Sequence, residues 1–131
     1  MKRTITYILI IFFVNLCLSS CWGLWKDNIK LSTRSAVFSG NGDSILIATK
    51  GGGWWISSIS VDDKNYANFP GVDILSDSYV IKEDCFVVER REKYTLFIKL
   101  DENPLNVNRI VNVVLEAGDY HDGVKITQKP K

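Results

Sequence analysis

Residues able to do nucleophilic or acid–base chemistry are few in this chain. His121 is the single histidine, so a serine or cysteine nucleophile that needs an imidazole base has only this residue to use. The glycines at 118 and 123 predict a turn around it, and therefore a solvated imidazole. Asp62 and Asp63 are adjacent, whereas the paired acids of a glycosidase come from separate elements that face each other across a cleft. With no catalytic constellation in the sequence, we expect the protein not to be an enzyme.

Metal-binding patterns are equally sparse. Asp119, His121 and Asp122 offer oxygen and nitrogen atoms, but a structural zinc site usually takes four Cys or His ligands, and the sequence has no such set. Asp73 and Asp77 do not build the loop of about 12 residues with alternating oxygen ligands that binds calcium. We therefore expect neither a metal nor a cofactor.

Cys21 is the residue with the most specific expected chemistry. A positive start is followed by a mostly apolar run, Ile5–Leu18, which is the layout of a cleaved secretory signal peptide. The ending Leu18-Ser19-Ser20-Cys21 resembles a bacterial lipobox, in which the cysteine thiol takes up diacylglycerol and a peptidase cuts between Ser20 and Cys21. An uncleaved membrane anchor is the alternative, but the apolar run is shorter than the roughly 20 residues that a spanning helix needs.

Cleavage before Cys21 changes the charge and cysteine content of the mature chain. It removes 20 of the 131 residues and leaves a length typical of one domain. It also removes two of the 16 basic residues and none of the 15 acidic ones, so the net charge changes from +1 to −1. A near-neutral domain has no electrostatic footprint for nucleic acid. Cys17 leaves with the signal and Cys21 is acylated, so Cys85 has no partner for an intramolecular disulfide.

From Ile29 onward the sequence predicts short strands separated by turns. No segment sustains a period of 3.6 residues, while apolar residues alternate in several short runs. Strands are expected at 29–31 with 36–38, 44–49, 54–61, 80–81, 86–88, 94–100, 109–116 and 124–128. The charge run 89–93 is predicted to be a solvated hairpin end, and 62–78 an irregular stretch. Seven or eight short strands at this spacing predict an all-β, immunoglobulin-like β-sandwich over residues 29–131.

Several short motifs follow one another in a fixed order along these strands. The early motifs are Val37-Phe38 in a strand, a glycine-rich turn and Trp54-Trp55-Ile56. The later ones are the asparagines 103, 106 and 108, followed by 109–113, Gly118-Asp119-Tyr120 and 124–128. In order and spacing the chain resembles the BACON domain family of Bacteroidetes, over about residues 29–128. The resemblance implies an immunoglobulin-like sandwich on a lipoprotein of a gut or oral anaerobe, and the name of the family proposes carbohydrate binding.

Residues 21–28 are expected to form a lipidated tether. Trp22 and Trp25 suit a membrane–water interface, where one part of the indole is apolar and its N–H is wet; packing against the underside of the domain remains open. Surface-displayed lipoproteins of related bacteria often carry an acidic cluster after the cysteine. Here that stretch holds only Asp27, which favours a periplasm-facing position on the outer membrane, with surface exposure as the alternative.

Ligand binding by such a domain needs exposed side chains at its surface. For a glycan, the aromatic candidates are Tyr66, Phe69, Tyr79 and whichever of Trp54 and Trp55 faces outward, because successive strand side chains point to opposite faces. The alternative is a purely structural role, in which these aromatics fill the core. An exposed apolar patch would favour a protein partner, and an aromatic shelf flanked by amides and carboxylates would favour a glycan. We expect a membrane-anchored, non-catalytic binding or structural module of the cell envelope.

Overall fold

The computed structural model describes residues 26–131, so the predicted signal peptide, Ser20, Cys21 and the tether tryptophans lie outside the described residues. The described chain contains nine β-strands. These are β1 (Ser35–Phe38), β2 (Asp43–Ala48), β3 (Trp55–Val61), β4 (Lys64–Ala67), β5 (Tyr79–Glu83), β6 (Phe86–Arg91), β7 (Thr95–Leu100), β8 (Arg109–Ala117) and β9 (Tyr120–Gln128). Over the same residues no helix has the length and apolarity needed to cross a membrane.

The strands form two sheets, ordered β1-β9-β8-β3-β4 and β2-β7-β6-β5. Within them β1 runs parallel to β9, and the other pairs are antiparallel. The neighbours β3-β8-β9 and β2-β7-β6 correspond to the C-F-G and B-E-D strands of the immunoglobulin fold. The predicted all-β sandwich is confirmed, with nine strands where seven or eight were expected.

The core lies between the inner faces of the two sheets and comes from alternating positions. In β8, Val111, Val113 and Leu115 are fully buried while the residues between them are partly exposed. β7 contributes Leu96 and Ile98 from the facing sheet in the same way. Both sets follow the alternation predicted from the sequence, because side chains along a strand point to opposite faces.

A β-bulge at Ser57 changes the alternation predicted for β3. The register against β8 shifts between Ile56 and Ser58, so that one extra residue is accommodated in β3. Ile56 and Ile59 consequently both face the core, although strict alternation had placed them on opposite faces. Beyond the bulge, Ser58 shares the outer face with Trp55.

The stretch 62–78 is more ordered than predicted. Its first part turns at 62–63 and forms β4, which pairs with β3 at the edge of the five-stranded sheet. Its apolar side chains Tyr66, Phe69, Val72 and Ile74 pack against the core. The prediction that this whole stretch is irregular is therefore wrong, because part of it forms an edge strand and its apolar side chains contribute to the packing.

Two segments predicted as turns contain shorter turns than expected, because part of each belongs to a strand. Residues 89–91 continue β6, and Arg90 within them is 3% exposed, so the charge run is not wholly a solvated hairpin end. His121 lies in β9 opposite Glu116, since the β8–β9 turn consists only of residues 118–119. In both places the strands extend further than the apolar pattern indicates, because polar residues also sit in the hydrogen-bonded ladder.

Candidate functional site

The aromatic residues predicted as ligand contacts lie in different environments. Trp54 is 1% exposed, and its indole N–H donates to Thr49 Oγ1 at 2.9 Å. Tyr79 faces the core from β5, where its hydroxyl oxygen accepts from the Ile56 N–H at 2.8 Å and burial raises its pKa. Neither ring is available to a ligand, which corrects the candidate role of Tyr79. Trp55 is the half-buried, outward-facing member of the tryptophan pair.

Tyr66 and Phe69 lie where the edges of the two sheets meet. The Tyr66 ring packs edge-to-face on Phe86, with ring centroids 5.2 Å apart. Tyr66 and Phe69 line a cavity of about 270 Å³ together with Pro70 and Ile81, among others, between β4 and β5. Trp55 does not line this cavity, so the structure does not unite the predicted aromatics into one platform.

Trp55 begins a row of side chains across the outer face of the five-stranded sheet. The strand register places it beside Glu116 of β8, and Glu116 beside His121 of β9. Glu116 Oε2 lies 3.5 Å from His121 Nε2. An aromatic ring, a carboxylate and an imidazole therefore lie side by side on three neighbouring strands, as cross-strand partners on one face do.

Next to this row, Gly123 leaves a gap in the sheet surface. A Cβ at this position would lie 2.8 Å from the Val113 carbonyl oxygen, so the close approach of β8 requires a glycine. The gap belongs to a trough of about 470 Å³, whose polar lining is contributed by Arg34, Asn112, His121, Asp122 and Lys125. The Asn112 amide also donates to Ser60 Oγ of β3 at 3.2 Å. We call the row and the trough together the Trp55 face.

An ion-pair network fixes one side of the trough. Arg34 donates to both carboxylate oxygens of Asp122, with Nε–Oδ1 at 3.1 Å and a terminal guanidinium nitrogen 2.7 Å from Oδ2. Arg34 also donates to Asp27, whose pKa is lowered chiefly by the hydrogen bond from the Lys30 N–H and further by Ile29 N–H and Arg34. The pairing with Asp122 raises the Arg34 pKa in turn. The network ties the first described residues to β9 and holds this rim in place.

The outer face of the four-stranded sheet offers a different surface. Leu46 and Val80 are 62% and 52% exposed, and the register places Phe97 and Glu89 between them. The Arg91 guanidinium lies 3.8 Å from the Phe97 ring centroid and forms a salt bridge with Glu89. Because this ion pair crosses the apolar band, the face does not present one continuous apolar patch.

Residues that carried the family resemblance are buried at the end of the sandwich where β8 begins. Arg109 donates to Gln128 Oε1 at 3.0 Å, and the Gln128 amide donates to the Asp101 carbonyl at 2.7 Å. The Asn103 amide donates to the Val107 carbonyl at 2.8 Å. These contacts join loops to strands and satisfy buried polar groups, which is a structural role.

Other residues considered for catalysis or metal binding are buried or already hold a hydrogen-bond or ion-pair partner. Cys85 is a half-buried free thiol whose pKa is raised by burial, which disfavours the nucleophilic thiolate. Asp62 accepts the Ile110 N–H at 2.8 Å, so this carboxylate caps the strand ladder. Residues 26–131 contain no group of three or more His, Cys, Asp or Glu arranged to hold a metal ion, and Asp122 is bound by Arg34.

The sequence analysis named only aromatic residues as ligand contacts and did not predict that the polar residues of the Trp55 face lie beside Trp55. The alternation of β8 indicates that Asn112 and Glu116 point outward, and this was the available signal. It does not indicate that β8 lies between β3 and β9, and only that strand order brings Glu116 next to both Trp55 and His121.

No family model matches the chain, and no curated protein matches it. Among solved structures, it is similar to a protein from Bacteroides thetaiotaomicron determined by NMR, with 23% identity and a TM-score of 0.64, covering 82% of this chain and 91% of that one. It is also similar to a Bacteroides ovatus GH5 xyloglucanase in complex with a XXXG heptasaccharide, with 15% identity and a TM-score of 0.50. That match covers 79% of this chain and 19% of the xyloglucanase. At these identities the similarities show the fold alone.

Proposed function

We propose that this protein is a lipid-anchored, non-catalytic glycan-binding module of the bacterial cell envelope, similar to the BACON domain family. The observation that carries the proposal is the row Trp55–Glu116–His121 beside the trough at Gly123. This is an aromatic ring flanked by a carboxylate and by amide and basic side chains, the combination that favours a glycan.

The chemistry of the Trp55 face suits a sugar. One face of a pyranose ring is mostly C–H and stacks on an indole, while the hydroxyl groups at its edge hydrogen-bond to fixed polar side chains. Glu116 accepts such bonds, Lys125 donates them, and Asn112 does both. Because these residues lie on an open sheet face, a chain-like glycan can lie across the strands.

A binding role also fits the arrangement of the acids. Glycoside hydrolysis generally uses two carboxylates across the scissile bond. Asp122 is the only carboxylate in the described lining of the trough, and Arg34 binds both of its oxygens. Glu116 lies next to the trough, beside His121. The described lining of the trough offers it no second carboxylate that is not already bound by Arg34.

Trp55→Ala should weaken glycan binding. The ligand class is first found by applying the purified protein to an array of plant, host and bacterial polysaccharides, and its affinity is then measured by calorimetry. We expect Trp55→Ala to weaken binding about tenfold, since loss of one aromatic stacking contact costs on the order of 1–2 kcal/mol. Tyr94→Ala removes an exposed aromatic outside the Trp55 face and should bind normally.

Two outcomes of that measurement would contradict the proposal. Equal losses for the Trp55 and Tyr94 variants would show that the Trp55 face is not the binding surface. Recovery of shortened glycan after incubation would show that the protein is a hydrolase.

A protein partner is the second candidate, favoured by the exposed Leu46 and Val80 on the four-stranded sheet. It is the weaker one because the Glu89–Arg91 ion pair divides that apolar band. If no glycan binds, and a partner captured from detergent-solubilised envelope is lost on Leu46→Asp, the second candidate replaces the first.

Cys21→Ser should leave an unprocessed, unlipidated precursor. The reason is chemical, since only a thiol at the end of the lipobox-like sequence accepts the diacylglycerol group, and acyl chains then provide the anchor. Metabolic labelling with a fatty-acid analogue should mark the wild type and the control Cys17→Ser, but not Cys21→Ser. Equal labelling of all three would exclude lipidation at Cys21.

A further inference from the structure

The end of the sandwich from which the tether departs is defined by the strand directions. β2 and β6 finish there, β3 and β7 begin there, and the N-terminal segment at 26–34 lies against it, with Gly51 N–H donating to the Ile29 carbonyl at 3.1 Å. We call this end the anchor-proximal end. Lys129 and Lys99 lie toward the opposite end, where β7 and β9 finish.

Four lysines surround the glycine segment 51–52 at the anchor-proximal end. Lys26, Lys30 and Lys50 line one cleft of about 260 Å³ together with Gly51. Lys93 extends along the adjacent Gly52, where an added Cβ would lie 2.7 Å from Lys93 Cε. The absence of a side chain at Gly52 therefore leaves room for the fourth lysine.

These four ammonium groups have no carboxylate partner among the ion pairs of residues 26–131. Asp27, the acid in the same cleft, accepts from backbone N–H groups and from Arg34. Asp77 lies 3.9 Å from the buried Arg90. Glu92, next to Lys93, and Asp119, in the β8–β9 turn at the same end of the sandwich, are exposed acids that offset part of this charge. The four lysines outnumber them, so the cluster keeps a local excess of positive charge.

We propose that this lysine cluster binds the anionic lipid headgroups of the membrane that holds the protein. The proposal rests on the lipid anchor of the proposed function. Only five residue steps separate Cys21 from Lys26, which limits their separation to about 18 Å even when the chain is fully extended. The cluster is thus held close to the surface, and exposed lysines near a membrane are attracted to anionic lipids within about one Debye length.

A consequence of this contact is a preferred orientation. With the anchor-proximal end against the headgroups, the strands rise away from the membrane, and the Trp55–Glu116–His121 row lies on the side of the domain at its membrane-facing end, because β3 begins there. The lysine cluster then acts together with the acyl chains and the short tether to restrict the tumbling of the domain.

Amine-reactive labelling of the full lipidated protein tests the proposal. The protein is reconstituted in phosphatidylcholine vesicles with and without phosphatidylglycerol, and labelling rates are measured by peptide mass spectrometry. We expect labelling at positions 26, 30, 50 and 93 to be at least about threefold slower with phosphatidylglycerol, and normal again at high salt. Lys99 and Lys129 should be labelled equally in both vesicles.

A charge variant gives an independent readout. In Lys50→Gln/Lys93→Gln, the two remaining lysines of the cluster should lose most of their protection by phosphatidylglycerol. If the cluster lysines of the wild type are labelled at equal rates in both kinds of vesicle, and the wild type still floats with neutral vesicles, the headgroup contact alone is overturned. Failure to float with neutral vesicles would overturn the anchor on which the proposal rests.

Discussion

Replacing Trp54 by alanine is expected to lower the free energy of unfolding by about 4 kcal/mol, the usual cost of deleting a buried tryptophan. Trp54 is 1% exposed, donates its N–H to Thr49 Oγ1, and has the Arg90 guanidinium 4.6 Å from its ring centroid. The variant therefore loses apolar burial, a buried hydrogen bond and a cation–π contact, and a cavity remains.

Trp55→Ala is the matched control, since it deletes the same side chain one residue further on. Because Trp55 is half-buried on the outer face, its loss should cost about 1 kcal/mol or less. Urea unfolding followed by circular dichroism measures both. Trp54→Phe keeps an aromatic ring and should fall between them, so a response remains measurable if the alanine variant does not fold. Equal costs for the two alanine variants would contradict the opposite orientations of the pair.

The sequence predicted the parts of this fold that depend on local alternation. The alternation of apolar residues at 109–116 predicts that Val111, Val113 and Leu115 share one face, and the three are buried. Adjacent tryptophans are likewise expected on opposite faces, and Trp54 is buried while Trp55 faces outward. These features need only the two-residue period of a strand. The all-β sandwich followed from the number and spacing of such segments.

The structural features that the sequence did not predict depend on strand partners that are distant along the chain. The bulge at Ser57 exists because β3 must match β8, which lies more than 50 residues away. Glu116 gains its neighbours Trp55 and His121 through the strand order. Pairing and register between remote strands leave no local pattern, so the Trp55 face emerges only when the sheet is assembled.

Arg90 is a charged residue whose buried environment the sequence likewise did not predict. In sequence it belongs to a run of charged residues that predicts a solvated hairpin end. In the structure it faces inward from β6, and its terminal nitrogens donate to the carbonyls of Ser76, at 3.0 Å, and Gly52. A buried arginine is tolerated because carbonyl acceptors and the Trp54 ring replace its water.

Arg90→Met should therefore destabilise the protein by about 3 kcal/mol, since it removes charge-assisted hydrogen bonds that join three segments of chain. Methionine keeps much of the apolar volume, so the loss reports the guanidinium contacts. Arg90 Nε is buried without a hydrogen-bond partner in the described residues, and relief of that unfavourable burial offsets a small part of the loss. The carbonyls of Ser76 and Gly52 lose their donor, which should also speed amide hydrogen exchange in both loops.

Arg91→Met provides the comparison, because Arg91 is the next residue and faces outward over the Phe97 ring with Glu89 as its partner. An exposed ion pair of this kind contributes little, so we expect a cost of about 1 kcal/mol or less. A double-mutant cycle of Arg90→Met with Trp54→Phe should show a coupling of about 1 kcal/mol, because the two side chains contact each other. Equal, mild effects at both arginines and no coupling to Trp54 would mean that the charge run is a solvated hairpin end after all. A large loss confined to Arg90 would show that this charge joins the glycine segment, the 76–78 loop and the core into one cooperative unit.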